Sequence, residues 1–347
     1  MSELRILMTT VGGMTSPDII QAIKENGKEA VYLLGVDPFE FAVGRFFVDH
    51  FEVIPDSTKD EIGFICAIDA LVRQYSIDLI IPCGNEDNLA LSKNKNKIGA
   101  KIMVDDYEYL LKAYDKAVVY RVIEDNYPQF APIFFLVNNW LDFMKAVYAL
   151  KYPTQKVVVK PRFGRGGRGV YVLNGNLGYD SVFRSKPAGE YPLEFFENIL
   201  SKKGAFEELI IMEFLEEPFY SIYSLCQRGS NIISLTHTRE WGNASQTFRG
   251  QVYHDAKIES FASKLIELFN LSYTNNMELG ISTKNDQIVL YDLNPRIAAS
   301  CGIDRHIGLN FPYEAINIAR GKKVSVDKKL FFEKRRFFRY FNQVWLS

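Results

Sequence analysis

The segment Val157–Val170, VVVKPRFGRGGRGV, packs four glycines into the six residues from Gly164 to Gly169, beside three arginines and a lysine. Lys160 ends a run of valines, so a buried strand would fix a cation at the mouth of the loop. The glycines leave backbone N–H groups open to an anion. Arg165 and Arg168 add charge-assisted donors. The loop runs into a second strand-like piece, VYVL, rather than a helix, and it lacks the GxxxxGK[ST] pattern. It therefore reads as a hairpin flap over a polyphosphate, and neither a P-loop nor a dinucleotide turn fits.

A second group of residues suits a metal. Asn276–Ser282 and Ile288–Asn294 flank the polar turn Lys284–Gln287, the pattern of a β-hairpin. With Met277, Leu279 and Ile281 on the core face beside Val289, Tyr291 and Leu293, the period of two gathers Glu278, Asp292 and Asn294 on the opposite face. Opposed carboxylates repel unless a cation lies between them. An all-oxygen trio suits Mg²⁺, which keeps waters and takes its remaining ligands from phosphates. Together the flap and the trio predict a site for Mg-ATP. A third piece, Leu209–Pro218, is a buried strand breaking at an acidic turn, which can offer a purine a backbone donor, a backbone acceptor and an apolar wall.

The elements that must position these groups follow from pattern. Arg5–Thr10, the Gly12-Gly13 turn, an N-cap at Ser16 with Pro17 at the first helical position, and a helix to about Asn26 open the chain. Strands at Ala30–Gly35 and Leu79–Pro82 and a helix at Ile62–Gln74 continue a β-α-β rhythm, hence a parallel sheet covered by helices. Helices are expected at Lys116–Asp125, Leu141–Leu150, Leu193–Lys202 and Ile258–Phe269.

The lysine before a glycine flap, the Asp115-Lys116 pair heading a helix, the strand LIIMEFLEEP and the run Asp292-Leu293-Asn294-Pro295-Arg296 resemble the ATP-grasp superfamily. The closest branch is the one similar to the large subunit of carbamoyl-phosphate synthase and to biotin carboxylase, and the resemblance covers essentially the whole chain. It implies an α/β protein: a Rossmann-like domain over 1–112, then an α+β ATP-grasp fold with a small flap lobe over 113–205. A large lobe over 206–347 would carry the metal site and a closing strand. By resemblance Lys116 and Lys160 contact nucleotide phosphates, Gly164, Arg165, Gly166, Gly167 and Gly169 close over them, and Val170 lies against the adenine. Glu213 accepts from the adenine amino group, Phe214 and Leu215 offer backbone contacts, and Glu216 or Tyr220 reaches the ribose. Glu278, Asp292 and Asn294 hold Mg²⁺ or Mn²⁺, and Arg296 faces the γ-phosphate or the acyl-phosphate being formed. The chain departs from the pattern at Phe219–Tyr223, where many relatives read an acidic residue, and at Asp292, where Glu is commoner.

The activity so implied is an ADP-forming carboxylate-amine ligase. A small carboxylate attacks the γ-phosphate, and an amine displaces phosphate from the acyl-phosphate. Arg239 and Arg249 are candidates to hold the carboxylate bidentately, and Arg305-His306 is a further loop candidate. The alternative is a non-catalytic, regulatory nucleotide-binding ATP-grasp protein, motivated by Phe219 and Tyr223. A dehydrogenase is disfavoured, because TVGGMT is not GxGxxG.

Composition narrows the rest. Lys and Arg total 41 against 42 for Asp and Glu, so no global field favours nucleic acid or an anionic membrane. The four cysteines and four histidines are scattered without a CxxC pair, which argues against structural zinc and a disulfide framework. With no signal-like or spanning apolar stretch, a cytoplasmic protein is expected, acting on small molecules and open to forming a homodimer. Glu86-Asp87-Asn88 reads as a helix-start cluster, and the basic, aromatic tail Lys328–Tyr340 as a closing strand.

Overall fold

The computed structural model describes residues 3–164, 166–184, 189–243, 246–326 and 335–345. Contacts divide the chain into two units: Met1–Tyr114, Tyr220–Met277 and Asn294–Ser347 make the first, Asp115–Phe219 and Glu278–Leu293 the second.

The first 114 residues hold β1 (Leu4–Thr9), α1 (Ser16–Lys24), β2 (Val31–Asp37), β3 (His50–Val53) and α2 (Glu61–Tyr75). Next come β4 (Leu79–Ile81), α3 (Asn85–Lys93), β5 (Lys101–Ile102) and α4 (Tyr107–Tyr114). All five strands are parallel, in the order β3-β2-β1-β4-β5. Strands β1, β2 and β4 are apolar and buried along nearly their whole length, as strands covered by helices on both faces must be. Helix α1 starts at Ser16, so Thr15 and not Ser16 is its N-cap, and Ser16 and Pro17 fill the first turn.

The second unit holds α5 (Lys116–Asn126), β6 (Phe134–Val137), α6 (Trp140–Ala149), β7 (Val157–Pro161) and β8 (Tyr171–Leu173). It continues with α7 (Tyr179–Phe183), β9 (Glu190–Tyr191), α8 (Leu193–Leu200) and β10 (Leu209–Glu213). Its sheet runs β6-β10-β7-β8-β9, with β7 antiparallel to both β8 and β10. Phe143 and Val147 of α6 and Phe196 of α8 pack on Val157, Val159 and Ile211. Because β7 and β8 are antiparallel neighbours, the glycine loop is the connection of a hairpin, as its sequence context predicts.

The remaining elements are β11 (Leu215–Gln227), β12 (Ser230–Thr238), β13 (Trp241–Gly242), β14 (Thr247–Tyr253), α9 (Ala256–Leu268), β15 (Tyr273–Ser282) and β16 (Ile288–Asn294). They end with α10 (Gly302–Arg305), α11 (Phe311–Ala319) and β17 (Arg335–Phe338). They form a sheet ordered β13-β14-β12-β11-β15-β16, with β17 beside β14. Strand β17 closes that sheet, and Lys328–Lys334 lie outside the described residues. Within the first unit, Ile19, Ile20 and Ile23 of α1 share one buried cluster with Phe311, Tyr313 and Ile316 of α11. This common core explains why the N-terminal sheet and the C-terminal helices count as one unit. The first segment of the first unit ends at Tyr114, and β10 pairs with β6 and β7 within the second unit.

His237 of β12 is 1% exposed and meets the Phe337 ring edge-on at 5.5 Å. Gly250 makes room for that ring: a Cβ there would come within 2.8 Å of Phe337 and 2.1 Å of the Thr238 carbonyl. Burial, with Arg239 and Arg339 adding to it, holds the His237 imidazole down to about 3. The unfolded chain binds that proton at its ordinary pKa while the fold does not, so stability is lost as pH falls below about 6.5. We expect acidification from pH 7 to pH 5 to cost about 2 kcal/mol through this residue. His237→Phe should flatten that part of the melting-temperature profile, read by calorimetry.

Candidate functional site

Strand β7 delivers Lys160 into the second unit's interior. Its flanking valines are buried in the core, which leaves the lysine 4% exposed at the strand's end. Its ammonium donates to the Tyr120 hydroxyl at 2.6 Å and to the Tyr291 carbonyl at 3.0 Å. The Tyr120 hydroxyl in turn donates to the same Tyr291 carbonyl. These direct partners are neutral, and burial pulls the Lys160 ammonium down to about 7. The charges of Asp292 and Glu278 oppose that shift, and Lys116 adds to it. A buried cation so placed gains from an incoming anion.

Lys116 is the first residue of α5, where Asp115 caps the helix by accepting from Ala117 N and Val118 N. Its ammonium donates to the Gly164 carbonyl at 2.9 Å and pairs with Asp292 Oδ1 at 3.1 Å, the two side chains being 14% and 19% exposed. The same Asp115 carboxylate accepts from Arg162 Nε at 2.8 Å and forms a second contact with Arg162 Nη2, while Arg162 Nη1 reaches Glu208 at 2.6 Å. The first stem of the glycine loop is therefore tied to the start of α5 and to β10's approach. Beyond Gly164 the chain turns through Gly166, Gly167 and Gly169 at φ +60°, +73° and +72°, a region that side chains rarely adopt. Arg165 lies outside the described residues, and Val170 is 40% exposed.

At the end of β10, Glu213 has a structural task. It is 2% exposed, and its carboxylate accepts from Ile133 N at 2.8 Å and from the Ser282 hydroxyl at 2.5 Å. It fastens β10 to the tip of the β15–β16 hairpin. The Phe214 carbonyl accepts from Thr283 Oγ1 at 3.2 Å, and Leu215 is buried. Glu216 is exposed and Tyr220 half-buried, opposite Thr238.

Glu278 and Asp292 are half-buried, on β15 and β16, and both act electrostatically on Lys160. Asn294 stands two residues beyond Asp292 on the same strand, 6% exposed, and counts with the first unit, as does Arg296. Among the described residues no group of three or more His, Cys, Asp and Glu forms a metal site. The two carboxylates fit a divalent cation whose shell is completed by amide, water or phosphate oxygens, which is the habit of Mg²⁺. Arg296 donates from Nε to Asn85 Oδ1 at 2.8 Å and from Nη1 to the Ile297 carbonyl at 2.9 Å.

The arginines proposed for substrate are engaged locally: Arg239 donates to the Asn243 carbonyl at 3.0 Å, Arg249 pairs with Glu240 at 3.4 Å, and Arg305 pairs with Glu25 at 2.6 Å. Asp87 is more than a helix-start residue, since it accepts from Thr9, Thr10 and Ser57, each at 2.6 Å. Sequence reading missed Tyr120 and Ser282. Tyr120 follows Lys116 by four residues, so α5 presents both on one face, a spacing that pointed to it. Nothing in the sequence singles out Ser282.

Comparison with known proteins places this geometry. Residues 205–338 match the family described as ATP-grasp in the biosynthetic pathway with Ter operon. No curated protein matches the chain. N5-carboxyaminoimidazole synthetase from Staphylococcus aureus, complexed with ADP, superposes with a TM-score of 0.67 at 16% identity over 93% of this chain and 79% of that one. Biotin carboxylase from Campylobacter jejuni, in complex with a β,γ-ATP analogue, gives 0.65 at 16% identity over 94% and 72%. L-amino acid ligase from Bacillus licheniformis gives 0.64 at 12% over 92% and 74%. With its hairpin flap, its strand-end lysine and these likenesses, the chain is a protein of the ATP-grasp fold.

Proposed function

We propose that the protein is an ATP- and Mg²⁺-dependent ligase, which activates a small carboxylate as its acyl-phosphate and joins it to an amine. The observation that carries this reading is the buried Lys160 ammonium with neutral direct partners, set near Lys116 and the carboxylates of Glu278 and Asp292. Phosphate oxygens would answer the two lysines, and Glu278 and Asp292, with Asn294, would hold the cation. When bound, the metal neutralises charge on the transferring phosphoryl group. The chain's own work is positioning and charge neutralisation: Lys160 held by Tyr120, and Lys116 released from Asp292 to a phosphate. Each of the three solved structures named above has a carboxylase, synthetase or ligase title, and two hold a nucleotide.

Two measurements test this. Mg-ATP, hydroxylamine and pooled small carboxylates should yield a substrate-dependent hydroxamate with ADP release. Lys160→Ala and Asp292→Ala should each lower the rate by about 100-fold or more. ATP binding without ADP release in every pool would instead favour the regulatory reading, which Phe219 and Tyr223 motivated. Lys160 gives the second test. ADP binding in EDTA at pH 8 should take up part of a proton, because the phosphates restore the ammonium that burial had discharged. Calorimetry in buffers of different ionisation enthalpy reads this uptake, which should shrink toward pH 6 and vanish in Lys160→Met. Release of a proton in place of uptake would remove Lys160 from the phosphate site.

A further inference from the structure

The first unit contains a cavity of about 390 Å³ that the phosphate chemistry does not use, within the range of small-molecule sites. Its wall comes from the segment after α3, from β5 and the turn that follows it, and from the β11–β12 and α9–β15 connections. Lys95, Lys101, Arg228, Asp105, Asp106 and Tyr273 line it. Arg228, Asn270 and Tyr273 all face it from backbones at φ +46°, +48° and +64°. Non-glycine residues rarely occupy that region, least of all a bulky tyrosine, and such strain concentrates where function requires a shape.

The cavity's charges do not cancel. Lys95 and Asp106 are in direct contact as an ion pair, which leaves Lys101 and Arg228 against Asp105. Asp105 is 7% exposed, and its Oδ1 accepts from Ser272 N at 2.7 Å. The Ser272 hydroxyl accepts from Arg228 N at 2.9 Å, so the two connections meet at this carboxyl. Burial pushes Asp105 up to about 7; Asp106 adds to the rise, while Lys95 and the Ser272 hydrogen bonds oppose it. Burial also pushes Tyr273 up to about 12 and raises Tyr114 and Cys226. Near neutrality the cavity therefore passes from one surplus positive charge to two as Asp105 gains its proton.

We propose that this cavity is a second ligand site, which takes a small dianion, a phosphate ester or a dicarboxylate, on Lys101 and Arg228, with the Asp105 carboxyl donating to it. A dianion supplies the two charges the cations lack, and a protonated carboxyl is the one arrangement of Asp105 that attracts it. The site is separate from Lys116 and Lys160, which belong to the other unit.

Titration of the full-length protein with sulfate and, separately, with malonate tests the proposal by calorimetry and by the melting temperature, at pH 6, 7 and 8. Sulfate stands in for a phosphate ester without titrating in this range, and malonate for a dicarboxylate. At least one of them should bind about threefold or more tighter at pH 6 than at pH 8. The ion that binds distinguishes the two ligand classes. Arg228→Gln should weaken binding about tenfold or more. Asp105→Asn, which keeps a donor and has no proton to lose, should retain binding and abolish its pH dependence. Arg228→Gly suits the left-handed backbone and repeats the charge test if the Gln variant fails to fold. Binding lost in Lys160→Met but kept in Arg228→Gln and Arg228→Gly would place the anion at the nucleotide site and overturn the proposal. Failure of both ions to bind the wild-type protein would overturn it too.

Discussion

The second unit is organised around one buried ammonium. Taking Lys160 out of water costs several kcal/mol unless the charge is compensated, and the fold compensates it with a phenol and a carbonyl in direct contact and carboxylates further off. Those partners are satisfactory only while the site is empty of anions. The valines of β7, the depth of α5 and the position of Tyr291 on β16 all serve this one placement, and each would be ordinary packing without it. Tyr120 is central because its hydroxyl accepts from the lysine and donates to the carbonyl that the lysine also uses. It is fully buried, and its phenol is held far above the usual range by that burial, so it remains a neutral donor.

Around the ammonium the charged groups are paired in a way that a ligand can rearrange. Lys116 binds at once the Asp292 carboxylate and the Gly164 carbonyl of the loop. An anion reaching Lys116 and a cation reaching Asp292 would therefore exchange one satisfied arrangement for another, with little desolvation left unanswered. The loop's first stem is held independently through Arg162, whose fork spans Asp115 and Glu208. That stem stays anchored to the Asp115 carboxylate that caps α5, and the glycines beyond it carry the conformational freedom.

The first unit shows the complementary economy. Its parallel sheet ends at Thr9, Thr10, Asp37 and the start of α3, the face where α/β sheets bind ligands. There Asp87 is saturated by three hydroxyls, and Asp37 by the backbone N–H groups of Gly12 and Phe39. At the start of α3 the Arg296 guanidinium also reaches that edge, donating to Asn85 Oδ1 at 2.8 Å. Among the described residues no helix is long and apolar enough to cross a membrane.

Much of this was legible in the residue order, because local physics decides it. Valines before a lysine make a strand whatever surrounds them, glycines at this density make a loop, and the β-α-β alternation makes a parallel sheet. Helix α5 and strands β7 and β16 lie within two residues of their expected limits for that reason, whereas the strand expected to run from Leu209 to a break at Pro218 ends at Glu213 and Pro218 lies inside β11. Tertiary structure alone decided the partnerships. Glu213 has the type and place of a ligand-binding acid, yet pairing of β10 with β6 brings Ile133 N–H to it, and the hairpin tip brings Ser282. Arg239, Arg249 and Arg305 offer the chemistry for a carboxylate, and only packing sets their neighbours, the Asn243 carbonyl, Glu240 and Glu25. Joining the N-terminal sheet to α10 and α11 in one core depended on α1 meeting α11, nearly three hundred residues away, and no local pattern encodes that encounter. A sequence determines which groups a segment can offer; only the packed chain determines which of them remain to be used.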